Sequence, residues 1–294
     1  MSKSKVVSAD EALADLRDGM QIATGGWIFA SQPMALVRAV IRKGVKNLRL
    51  VAAPGSIAPD MLIGAGCVSE VSCAFISFEQ FGLSPQFRRA AESGEIKINE
   101  LDGPGLAAGL RAGACDLPYM LIPDLGTDLP RVNPDSYRSV PRTPGERPLL
   151  MVPAIQPDFA LLHGQQADEQ GNVQLFGGCF FDPMLAQASK KVVVCVDRIV
   201  DTATIRKDGR LTKLPAAFVH AVIEAPFGAH PSSSAAHYEV DENHIGQYVK
   251  ASGDPKAYRT YLERYVIQPT GQDEYVDLIG RDRLSSLETA RPSA

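Results

Sequence analysis

The chain has 294 residues, 45% of them hydrophobic, and a formal net charge of −4. That is enough for one large α/β domain or two small ones, and it argues against a general basic surface for nucleic acid. No run approaches the ~18–20 apolar residues of a membrane span. The opening MSKSKVVSADE lacks the apolar core of a signal peptide, so a cytoplasmic protein without membrane or nucleic-acid partners is expected.

A capping box, Ser8 with Glu11, opens the first helix, and Ala12, Leu13 and Leu16 give it an apolar stripe ending at Gly19. Met20–Thr24 reads as a short buried strand, broken by Gly25 and Gly26. Pro33 opens a helix that Ala35–Ile41 carries to Gly44, and Leu48–Ala52 is the next strand. Pro59–Ala65 (helix), Val71–Ile76 (strand), Pro85–Glu92 (helix, closed by Gly94), Ile96–Glu100 (strand) and Leu106–Ala114 (helix) continue the alternation, with Met120–Pro123 extended. Strands alternating with helices across short Gly- or Pro-bearing joints imply an α/β fold: an open, mostly parallel sheet with helices on both faces.

Residues 133–148 break the pattern: polar, with four prolines and several arginines, they read as a surface excursion or active-site flap. Strands resume at Leu149–Pro153, Phe159–His163, Val192–Val196 and Ala217–Ile223. The aromatic-rich Tyr248–Val266 reads as helical, which makes 248–294 a C-terminal helical extension with a frayed tail on a single domain spanning 1–294.

Local chemistry is sparse. Gly25–Gly26, between a strand and a helix, is equally a tight turn or an anion cradle. The third glycine of a dinucleotide fingerprint is missing. Glu100 ends a strand, where open α/β sheets face their ligands, and could hold substrate, serve as acid or base, or cap a loop. Glu79 and Gln80, and His163, Gln165 and Gln166, share that placement; for His163 a hydrogen-bonded structural role is the simpler reading. Arg88–Arg89 and Lys190–Lys191 read as solvated pairs. Cys67, Cys73, Cys115, Cys179 and Cys195 are odd in number with no Cys-x-x-Cys, which disfavours disulfides or a zinc knuckle. Cys73 and Cys195 read as small buried hydrophobes. His230, His237 and His244 are evenly spaced, but the Ser- and Ala-rich run between them reads as loop, so no metal site is expected.

Longer strings are more specific. Asp18-Gly19, Gly25-Gly26-Trp27 and Pro33, then Glu100-Leu101-Asp102-Gly103-Pro104-Gly105-Leu106, Arg111-Ala112-Gly113-Ala114, Leu117-Pro118 and Gly126-Thr127-Asp128, resemble α-type subunits of the coenzyme A transferase family. Trp27 replaces a phenylalanine, Ser31 a glycine, and the Pro–Gly order after Glu100 differs. Ala167-Asp168, Gly171-Asn172, Asp182-Pro183-Met184 and Glu224-Ala225-Pro226-Phe227-Gly228-Ala229-His230-Pro231 extend the likeness from about Val7 to Leu287, toward a glutaconate-type branch.

That resemblance implies a glutamate that attacks an acyl-CoA thioester and then carries the CoA as a glutamyl thioester, with backbone amides stabilising the oxyanions. The family places this glutamate in a Glu-Asn-Gly or Glu-Gly context on a β-type partner. Here Glu242-Asn243 is followed by His244, so the nucleophile is expected on a partner chain in an αβ or α2β2 assembly. The resemblance assigns Gly25, Gly26, Ser31, Phe78 and Glu79 to the substrate cleft and Glu100 to a catalytic role. It implies CoA or acyl-CoA as substrate, with no tightly bound cofactor. The acyl group would be a dicarboxylic or unsaturated acid, although Trp27, Phe29, Phe78 and Phe81 favour a bulkier one unless they are core. Family members that hydrolyse a steroid-degradation thioester or decarboxylate a methylglutaconyl thioester are alternatives. A non-catalytic acyl-CoA or phosphometabolite binder is another, and a sugar-phosphate isomerase ranks last.

Overall fold

Alternate residues along the short β-branched runs are buried on opposite sides, and that alternation builds the molecule. The computed structural model describes residues 4–52, 54–141 and 143–289. Its strands are β1 (Gln21–Thr24), β2 (Leu48–Ala52), β3 (Val68–Cys73), β4 (Lys97–Glu100), β5 (Tyr119–Pro123), β6 (Arg138–Val140), β7 (Leu149–Pro153), β8 (Phe159–Ala167), β9 (Val173–Gln174), β10 (Lys191–Ile199), β11 (Thr212–Leu214) and β12 (Ala221–Glu224). Seven pair in parallel in the order β12-β10-β8-β1-β2-β3-β4. β9 and β11 add antiparallel turns at the far end of β8, and β5-β7-β6 form a separate antiparallel sheet.

The two faces carry two cores. Ile22, Phe159, Leu161, Val193 and Cys195 point to one, under the helices Met34–Lys43 and Ile57–Gly64. Ala23, Ala160, Leu162, Val192 and Val194 point to the other, under the helices Gly103–Ala114 and Asp182–Ala188. Each buried Val, Leu or Ile contributes about 1.5–3 kcal/mol. The open, mostly parallel sheet with helices on both faces is therefore as the alternation implies.

Several boundaries shift for identifiable reasons. Ser8 caps its helix as expected, accepting from the Glu11 amide, but the helix is only Ala9–Ala12. The strand expected at Ala217–Ile223 starts at Ala221, because Lys5 Nζ takes the carbonyls of Ala216 (2.5 Å) and Val219 (2.7 Å) and holds them out of the ladder. The strand expected at Val71–Ile76 is Val68–Cys73; beyond it the chain leaves the sheet. Met120–Pro123 is extended, but in the antiparallel sheet. The 133–148 segment contains β6, and its Tyr137 is buried.

The C-terminal extension begins before Tyr248. Asp241 accepts from the His244 amide (2.8 Å) and caps Glu242–Ser252, after which Pro255–Leu262, Gln272–Ile279 and Arg281–Ser285 follow. These helices lock on through polar groups as well as apolar ones. The buried Asp60 accepts from Tyr248 Oη (2.7 Å), Ser84 Oγ (2.7 Å) and the amides of Gln86 (2.9 Å) and Phe87 (2.8 Å). Buried Arg38 lies 3.5 Å over the Tyr275 ring and donates to Gln272 Oε1 at 2.8 Å. Among the described residues no helix is long and apolar enough to cross a membrane.

Candidate functional site

The strand order fixes where a ligand can sit. The chain winds outward from β1 through β2 and β3 to β4, then returns to β8 on the other side of β1 and winds the opposite way. Crossovers diverge at the β1/β8 junction, which opens a crevice beyond the carboxyl ends of those strands.

Gly25 and Gly26 occupy that junction. The Gly25 amide donates to the Leu161 carbonyl (3.0 Å) and the Gly26 amide to Asp182 Oδ1 (3.0 Å). Gly26 has φ +83°, and a Cβ there would lie 2.6 Å from the Ser31 carbonyl oxygen, so only glycine serves. Trp27 and Ala30 exchange backbone hydrogen bonds, and the Ser31 amide donates to the Ser233 carbonyl (2.8 Å). Of the two readings of the glycine pair, the turn prevails: these amides hold protein groups, not an anion. Gly25, Gly26 and Ser31 thus form one knot.

The residue that completes this knot is Asp182, which sequence reasoning had only as part of a string. Burial pushes its carboxyl up to about 7, against the opposing effect of the Gly26 hydrogen bond. The legible signal was Asp182-Pro183, an acid before proline at a helix start.

An aromatic group rims the junction. Trp27 stacks on Phe180, with ring centroids 4.7 Å apart, and meets Phe75 edge-on at 6.1 Å. Phe75 follows β3 by two residues, and the last residue of β3, Cys73, pairs with Glu100 at the end of β4. Glu100 is exposed, and its carbonyl accepts from Asn133 Nδ2 (2.5 Å). Burial, with the Glu100 charge adding, pushes the Cys73 thiol up to about 12, which keeps it an inert hydrophobe. Glu79 is exposed on the turn after β3, with φ +48°. Phe78 is elsewhere: fully buried, it lies parallel to Tyr248 (5.7 Å) and edge-on to Phe29 (5.6 Å). Phe29 and Phe78 are therefore core, and the exposed aromatics are Phe75 and Phe180.

A second polar cluster lies at the ends of β8 and β10. His163 Nε2 is 3.1 Å from Ser234 Oγ and 3.4 Å from Asp197 Oδ2, and Ser234 donates to that same oxygen at 2.6 Å. His237 Nδ1 (3.0 Å) and Tyr238 Oη (3.0 Å) complete the Asp197 shell. Burial alone would push His163 down; the Asp197 carboxylate reverses this and holds it up at about 10. The same pairing holds Asp197 well below the usual carboxylate range against its own burial. Serine and carboxylate share one imidazole nitrogen, so this is not the relay of a serine nucleophile. It is a structural ion pair, as the simpler reading of His163 holds.

His230, Asp241 and His244 bring ligand-type atoms within 4.8 Å of one another. Each atom already has a partner. Arg283 grips both Asp241 oxygens (2.8 and 2.6 Å), His230 Nδ1 meets Tyr275 Oη (2.8 Å), and His244 Nε2 meets Tyr261 Oη (2.8 Å). A cation would have to displace the guanidinium, so the cluster reads as a clasp for the C-terminal helices.

Similarities to known proteins agree with this geometry. The chain is 35% identical over 281 residues to an uncharacterised protein of Archaeoglobus fulgidus, covering 94% of this chain but only 62% of that one. It is 34% identical to the cholesterol ring-cleaving hydrolase IpdA subunit of Rhodococcus jostii, covering 93% of this chain and 95% of that protein. The crystal structure of glutaconate coenzyme A-transferase from Acidaminococcus fermentans superposes with a TM-score of 0.91 at 28% identity, over 98% of this chain and 96% of that one. That of the decarboxylase AibA/AibB gives 0.79 at 31% identity, over 90% and 100%. A family model described as coenzyme A transferase matches residues 6–225, and the chain belongs to that family.

Proposed function

We propose that this chain is the A-type half of a two-subunit enzyme acting on CoA thioesters, a CoA-transferase in the first instance, with the nucleophilic glutamate supplied by a β-type partner. The observation that carries the proposal is the end-to-end correspondence with the glutaconate CoA-transferase chain: 98% of one against 96% of the other. Several relatives are themselves named as an A subunit. The only Glu-Asn pair, Glu242-Asn243, begins a helix behind its Asp241 cap, and Glu242 Oε1 accepts from Gln80. It is poorly placed to serve as the nucleophile.

In this reading, the substrate is an acyl-CoA and the rim from the Gly25–Gly26–Ser31 knot to Glu79 and Glu100 faces the partner's glutamate. Glu100, water-exposed at a strand end, orients the thioester or moves a proton during acyl transfer. No tightly bound cofactor is part of the proposal, and the compartment is the cytoplasm. A hydrolase is the second reading, favoured by the 34% identity to the ring-cleaving hydrolase subunit.

The deciding experiment is affinity capture of the tagged chain from its host, followed by assay of the recovered complex. A stoichiometric partner carrying a Glu-Asn-Gly or Glu-Gly segment, with CoA release that depends on a carboxylic acid acceptor, supports the transferase. Thioester cleavage without an acceptor points to the hydrolase. A chain recovered alone and inactive overturns both.

A further inference from the structure

The aromatic rim is built in a way that core packing does not require. Trp27 and Phe180 lie nearly flat on each other (22° between planes), with Phe75 perpendicular to Trp27 (88°). Phe75 is 41% and Phe180 49% exposed. Leaving such rings in water forgoes about 25 cal/mol for every Å² of apolar surface. The backbone is also bent to present them. Phe180 has φ +31° and Ile28, next to Trp27, φ +47°, conformations that cost a non-glycine residue about 1–3 kcal/mol and cluster at ligand sites. Gly178 lets the Phe180 ring fold back over it, since a Cβ there would lie 2.8 Å from the ring.

We propose that Trp27, Phe75 and Phe180 form the acyl subsite, and that it takes a bulky, apolar, cyclic acyl group in preference to a short dicarboxylate. The inference rests on the CoA-thioester reading above. A flat pair of rings with a third at right angles offers stacking and edge contacts to a ring of similar size. The charged groups at the ends of β3 and β4 argue the same way. Glu79 and Glu100 are both acidic, so a second carboxylate on the acyl chain would meet like charge. A neutral ring would not.

Trp27 is the only tryptophan in the chain, so its fluorescence, taken as the difference from a Trp27→Phe complex, reports on the subsite directly. The complex with its partner subunit is titrated with CoA, glutaryl-CoA and cyclohexanecarbonyl-CoA. Saturable change is expected, with the cyclic thioester about ten-fold tighter than glutaryl-CoA. Phe180→Ala brings that ratio close to one while CoA still binds. Equal affinities for the two thioesters, with CoA bound, overturn the subsite and leave the CoA reading standing. Phe180→Ala that weakens partner association but keeps the ratio reassigns the rings to the subunit interface. If neither CoA nor any thioester binds, the CoA reading falls and the subsite falls with it.

Discussion

Asp182 Oδ1 accepts the Gly26 amide at 3.0 Å, at a point where a Cβ on Gly25 would come within 2.3 Å of that oxygen. Close approach and the hydrogen bond are one device: two glycines let a buried carboxyl reach the turn at the mouth of the crevice.

The first prediction concerns its charge. Burial raises the Asp182 carboxyl from 3.8 to about 7, so the folded state holds this proton more tightly than the unfolded chain. Its contribution to stability is complete below about 4 and is lost as the pH rises through about 7. Asp182→Asn keeps an acceptor for Gly26 and carries no charge. Relative to wild type it gains thermal stability between pH 5 and pH 8, whatever the offset at pH 5. Asp182→Ala leaves the Gly26 amide unpaired and costs about 1–3 kcal/mol. Thermal melts at the two pH values decide; an unchanged wild-type-to-Asn difference refutes the assignment.

The sequence carries much of the fold in its punctuation. Strand–helix alternation, Pro33 and Pro85 at helix starts, and Gly44 and Gly94 at helix ends are local signals, and they land where the structure has them. The sites are not local. Phe78 and Phe180 look alike in the sequence, yet one is stacked under Tyr248, 170 residues later in the chain, and the other lies open beside Trp27. The evenly spaced histidines look like one set. Instead, His237 joins Asp197, while His230 and His244 meet at Asp241. Strings such as Ala167-Asp168 and Gly171-Asn172 were legible as family marks. Physically they are a turn, in which Asp168 accepts from the amides of Gln170 and Asn172 and from Thr202 Oγ1. Which residues share a strand end follows from the crossover order, which periodicity does not encode.

The His163–Asp197 pair has the opposite origin to Asp182 but the same pH sense. His163 is held up at about 10 against an ordinary 6.5, so its contribution is present below about 6.5 and lost as the pH rises through about 10. Asp197, held down, contributes above its ordinary 3.8 and fails only in acid. Wild-type stability therefore declines from pH 7 to pH 10, and His163→Gln, lower at pH 7, declines less. Asp197→Ala leaves the imidazolium buried without its counter-charge and costs about 3–5 kcal/mol. Parallel melting curves for wild type and His163→Gln over that range would falsify the ion pair.

Glu100 tests the functional proposal. Its side chain is exposed and its fold contact is a carbonyl, so Glu100→Gln leaves the melting temperature within about 1 °C, as surface substitutions usually do. In the complex with its partner, a proton-transfer role predicts a kcat lower by about 10²–10⁴-fold. A purely orienting role predicts a smaller loss with the pH profile unchanged. Wild-type kinetics for Glu100→Gln remove it from the chemistry.

Tyr137 links the 133–148 excursion to that same strand end. Its hydroxyl donates to Asp102 Oδ1 (2.6 Å) and accepts the Asp102 amide (2.9 Å), while Asp102 caps the helix Gly103–Ala114 through the Gly105 amide (2.7 Å). Four residues earlier, Asn133 holds the Glu100 carbonyl. One clasp therefore sets the backbone on which Glu100 stands. Tyr137→Phe keeps the buried ring but orphans the Asp102 amide, costing about 1–3 kcal/mol. Asn133→Ala removes one partner of a half-exposed bond and costs less, about 0.5–1.5 kcal/mol. If the clasp positions Glu100, both variants lower kcat in the assembled enzyme, and their effects vanish in a Glu100→Gln background. Additive losses in that background would show that the clasp supports the fold alone.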